Sequence, residues 1–141
     1  MEDVKALLQT YAEEDVSDIT HIWFRRHNPK DESIQGYAVK GSGVLAIVLY
    51  PLRGNLEIDL GKSRPSGRAL KWYSGYAAVS RAEEGWKARF SLASARSYYL
   101  ERLLPHEIAH CIAYSQGRMR HAGYKNENFA DNLAYARYPV R

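Results

Sequence analysis

Five consecutive residues, His106-Glu107-Ile108-Ala109-His110, have the types and spacing of a metal site. On an α-helix, positions four apart lie about 40° apart around the axis and about 6 Å along it, so both imidazoles point the same way and can grip one cation. Glu107 follows the first histidine and reaches a metal-held water without becoming a ligand, which is the place a general base needs. Zinc suits such donors. It brings the pKa of its water to about 7, and a carboxylate beside it can take that proton and pass it to a leaving amine. The chemistry implied is peptide or amide hydrolysis, with Glu107 as base and then acid.

Catalytic zinc sites hold three protein ligands and keep a fourth position open, so a further ligand is required. Glu127 and His121 compete for that role. Glu127 lies in Asn126-Glu127-Asn128-Phe129-Ala130-Asp131, with Asp131 one helical turn later on the same face. Glu127 can then ligate while Asp131 hydrogen-bonds the outer nitrogen of a ligating histidine and fixes its tautomer. The alternative is a solvated carboxylate pair at a helix N-terminus. If Glu127 is the ligand, His121 or Tyr124 becomes a candidate to stabilise the oxyanion on the scissile carbonyl, against an exposed loop position for each. Cys111 is turned about 100° from His110 around the helix and reads as a small buried residue. His21 and His27 have no partner at ligand spacing.

His-Glu-x-x-His followed by Asn126-Glu127-x-x-x-Asp131 resembles the gluzincins, the thermolysin-type zinc peptidases. Glu127-x-x-Ala130-Asp131-x-x-Ala134 is similar to the second-helix motif of their smaller relatives. The resemblance covers about residues 103–137, and the 16 residues between His110 and Glu127 require a tight connection. It implies a zincin-like α+β fold: a twisted, mostly antiparallel sheet in front of two roughly antiparallel helices, with an edge strand that receives an extended substrate. Residues 86–92 are the candidate edge. A second resemblance stands beside it. Leu104-Pro105-His106-Glu107-Ile108-Ala109-His110 with His121 downstream is similar to the SprT-like metalloproteases, which act on proteins crosslinked to DNA and take a third histidine as ligand. That resemblance implies nucleic-acid contacts at the basic stretch 61–71 and at Trp72 and Tyr73. A third reading, from a different class, is a binding module in which zinc only staples two helices.

The elements that must position these residues are legible in part. Val4, Leu7, Leu8 and Tyr11 recur at helical spacing and predict an N-terminal helix ending near Glu14. Short β-branched and aromatic runs predict strands near 19–26, 36–40, 43–50 and 55–60, with a hairpin across Gly41-Ser42-Gly43. Residues 61–71 read as an exposed basic loop, followed by strands at 72–80 and 86–92. Helix is expected from a cap at Ser94 to Gln116, with Pro105 either kinking one long helix or, the preferred reading, starting a second that carries the histidines, and Gly117 at the C-terminal cap. A last helix is expected from Asn126 to Tyr138, ended by Pro139.

The 141 residues suit one domain spanning 1–141, and 45% hydrophobic content excludes a disordered chain. A net charge of +4 favours loose attraction to acidic surfaces without specifying a nucleic-acid partner. With one cysteine there is no intrachain disulfide, no segment has the roughly 20 apolar residues of a membrane helix, and the acidic start is no secretory signal. A cytoplasmic protein acting on a protein or peptide, away from membranes, is the expectation.

Overall fold

The computed structural model describes residues 1–26, 35–52, 54–117 and 124–140. In chain order the elements are α1 (Glu2–Leu8), α2 (Glu13–Val16), β1 (His21–Phe24), β2 (Gly36–Gly41), β3 (Val44–Leu49), β4 (Glu57–Gly61), α3 (Gly67–Tyr73), β5 (Ala78–Ala82), β6 (Gly85–Arg89), α4 (Leu92–Tyr98), a π-helical turn (Tyr99–Leu103), α5 (Leu104–Ser115) and α6 (Tyr124–Arg137). This is a mixed α+β protein.

The sheet is divided. One three-stranded sheet has the order β1-β3-β2 and the other β4-β6-β5. The expected hairpin forms: β2 and β3 pair antiparallel, Tyr37 opposite Val48 and Val39 opposite Ala46, while β1 runs parallel to β3. Alternation along β3 sends Leu45, Ile47 and Leu49 into the core, where α5 packs against β2 and β3. In the other sheet both pairings are antiparallel.

Three expectations fail here, the first being the N-terminal helix, which stops at Leu8 rather than near Glu14 and is followed by the separate α2. The strand read at 86–92 is no edge, since β6 lies between β4 and β5. Its alternating pattern reports one wet face, and both central and edge strands can have one. Residues 61–80 are not a loop followed by a strand either. Ser66 caps α3, its hydroxyl accepting the Ala69 backbone N–H, and only Ala78–Ala82 is extended. The aromatic run Trp72-Tyr73 faces inward from a helix, and its strand propensity is overridden by that packing.

The helical stretch before the histidines begins at Ser91 rather than Ser94. The two serines form a reciprocal capping box, each side chain meeting the other's backbone N–H at 3.0 Å. Five residues of π-helix join α4 to α5 without a break, so Pro105 lies within a continuous helical run. The widened turn just before it is where the helix adjusts to a residue with no N–H to donate. Gly117 adopts φ +69 just past the end. No described helix is long and apolar enough to cross a membrane.

Candidate metal centre

Every residue of α5 from Leu104 to Ala113 is buried, so the two histidines are held by a helix with no exposed face over that stretch. Four residues apart, His106 and His110 turn their Nε2 atoms toward each other at 3.0 Å. The first two turns of α6 lie across them. Glu127 places Oε2 3.2 Å from His106 Nε2 and Oε1 3.1 Å from His110 Nε2. Among the described residues these three form the group able to hold a metal ion.

The donor set fits zinc. Ligands at about 2.0–2.1 Å in a tetrahedral arrangement stand about 3.3 Å apart, and the three separations here are just inside that figure. Two imidazoles and a carboxylate are also the donor chemistry zinc favours.

Asp131, one turn beyond Glu127, sets Oδ1 2.9 Å from His106 Nδ1, the far side of the ring from Glu127. The outer nitrogen of His106 thus faces a buried carboxylate. Burial opposes charge on His106, but Asp131 and Glu127 outweigh it and raise the imidazole to about 9. The same contacts with His106 and His110 hold Glu127 far below the usual carboxylate range. Burial pushes Asp131 upward, yet His106 and Arg68 prevail and keep it low.

Glu107 is 4% exposed, and burial raises its pKa against the pull of both histidines. Its carboxylate accepts the backbone N–H of Ala38 on β2. The register explains why that N–H is free. The Tyr50 N–H donates to the Gln35 carbonyl at 2.7 Å, so Gln35, Tyr37 and Val39 turn their backbone groups toward β3 and Ala38 turns its own outward.

Two residues of α3, given by the sequence only as candidate nucleic-acid contacts, stand instead beside the metal group. Arg68 donates from Nε to Asp131 Oδ2 at 2.9 Å. Trp72, one turn later, sets its ring edge-on to His106 with centroids 5.0 Å apart and donates from Nε1 to the Tyr98 hydroxyl at 2.9 Å. The i, i+4 spacing of Arg68 and Trp72 was the available signal, hidden by reading the segment as a loop and a strand. Together with Gln35, Ala38, Ser66 and Tyr114, these residues line a cleft of about 640 Å³ over the metal group.

The other sequence candidates fall elsewhere. Cys111 is fully buried outside the group, its thiol pushed up to about 12 by burial. His21 is exposed on β1, with Nδ1 2.9 Å from Thr20 Oγ1. Tyr124 is the first residue of α6. His27 and His121 lie outside the described residues. Comparison of the chain with protein-family models, with curated proteins and with solved structures finds no match.

Proposed function

We propose that this protein is a zinc metallopeptidase of gluzincin type, with His106, His110 and Glu127 as the ligands. The observation that carries this reading is the convergence of those three donors to within 3.0–3.2 Å of one another, with a buried carboxylate, Glu107, on the intervening turn of the same helix. A metal that only stapled two helices would need no carboxylate beside an open position.

Zinc, when bound, would supply a Lewis acid for the scissile carbonyl and acidify the attacking water. The chain's own part is positional and protonic. Glu107, whose basicity burial raises, is the group to take a proton and return it to the leaving amine. Asp131 holds His106 with Nδ1 outward and Nε2 toward the metal. In a zincin-like arrangement the substrate-receiving edge is β2 rather than residues 86–92. β2 is an edge of its sheet, lines the cleft at Gly36 and Ala38, and turns backbone groups away from β3. The expected substrate is therefore an extended peptide.

Elemental mass spectrometry on protein purified without added metal tests the site, alongside cleavage of an unstructured protein such as casein. About one zinc per chain, lost in His110→Ala and in Glu127→Ala, with casein cleavage that chelators abolish, is expected. No zinc in the wild-type chain, before or after zinc is added, would sink the metal reading. Zinc without hydrolysis of any unstructured substrate would leave a binding module.

A further inference from the structure

Among the described residues lining the cleft, Arg68 is the one lysine or arginine. One edge of its guanidinium spans two carboxylates that stand a helical turn apart on α6. Nε and Nη2 both lie 2.9 Å from Asp131 Oδ2, and Nη2 lies 3.5 Å from Glu127 Oε2. The oxygens of Asp131 are thereby assigned: Oδ2 to Arg68, Oδ1 to His106 Nδ1. A carboxylate torsion is broad and roughly two-fold, so that assignment needs a partner to hold it.

We propose that Arg68 is a positioning residue of the metal centre, locking Asp131 so that it orients His106. Its side chain is half exposed, so as a simple ion pair it would contribute little to stability. Its effect lies in geometry. The guanidinium Nε–H donates to Asp131 Oδ2 along a direction fixed by its plane, where an ammonium would only attract the carboxylate. Arg68 and Asp131 stand 63 residues apart in the chain, so α3 is a working wall of the site and not merely its cover. The role rests on the metal reading above, but not on peptide hydrolysis.

The test is zinc affinity, measured by competition with a chromophoric chelator, in wild type, Arg68→Lys, Arg68→Met, Asp131→Asn and Arg68→Met/Asp131→Asn. The melting temperature of each chelator-treated protein is measured alongside. Arg68→Met is expected to weaken zinc binding about 10-fold, with Arg68→Lys recovering part of the loss. The double variant should bind within about twofold of Asp131→Asn alone, because Arg68 acts through Asp131. Affinity in Arg68→Met within about twofold of wild type overturns the proposal. So do losses that multiply in the double variant, or a matching fall in the metal-free melting temperature, which would mark a merely structural role. A wild-type chain that takes up no zinc removes the metal reading and this role with it. Zinc binding without hydrolysis removes only the peptidase reading and leaves the role standing.

Discussion

Asp131 Oδ1 stands 2.9 Å from His106 Nδ1, while the opposite nitrogen of the same ring faces Glu127 at 3.2 Å. One imidazole is thus flanked on both sides by carboxylates, which favours its charged form.

A pH dependence of the metal-free protein follows, with a definite sign. His106 is raised from 6.5 to about 9, so its stabilising contribution is complete below the unfolded value and is lost as pH rises through the folded one. Glu127 is lowered, so its contribution is present above the usual carboxylate range and lost in acid. Urea midpoints of chelator-treated protein should fall from about pH 6 toward about pH 10, and a His106→Gln variant should lose most of that slope. A wild-type profile as flat as that of the variant would contradict the double grip.

Glu107→Gln separates the metal from the chemistry. Glu107 lies outside the group of three candidate ligands and accepts a backbone N–H instead, so zinc content should stay near that of the wild type. Peptide hydrolysis should drop about 10²–10⁴-fold with loss of the base. Parallel assays of zinc content and casein cleavage decide it; unchanged cleavage would remove Glu107 from the mechanism.

Ala38→Pro tests how Glu107 is held. The Ala38 N–H faces the carboxylate rather than β3, so proline removes that donor without taking a hydrogen bond from the β2–β3 ladder. Zinc content and far-ultraviolet circular dichroism should be preserved while hydrolysis falls by about tenfold or more, since a misplaced base is a poor one. Loss of the fold would instead show that the Ala38 N–H belongs to the sheet.

Gly85→Ala probes the turn between β5 and β6. Gly85 has φ +134, and a Cβ there would stand 2.5 Å from the Gly61 carbonyl oxygen, a backbone atom that cannot swing aside. Strain and clash together should cost about 2–4 kcal/mol, read from chemical denaturation. A variant as stable as wild type would mean that the β4–β6 approach is looser than described.

What the sequence determined by itself is local. His106, Glu107 and His110 acquire their geometry from the helix repeat alone, and Glu127 and Asp131 share a face for the same reason. The β2–β3 hairpin was legible too, because a Gly-Ser-Gly turn joins a short strand-like run to the continuous apolar run Val44 to Tyr50. Only the tertiary structure decided how these pieces meet. Which strand forms an edge depends on pairing between residues distant in sequence, and β6, expected at an edge, lies between β4 and β5. Arg68 and Trp72 joined the site from a segment whose glycine, proline and basic residues resemble a loop, because packing against His106 and Tyr98 and the bond to Asp131 reward a helix there. No short-range pattern encodes such contacts, since each closes a span of chain longer than any local signal.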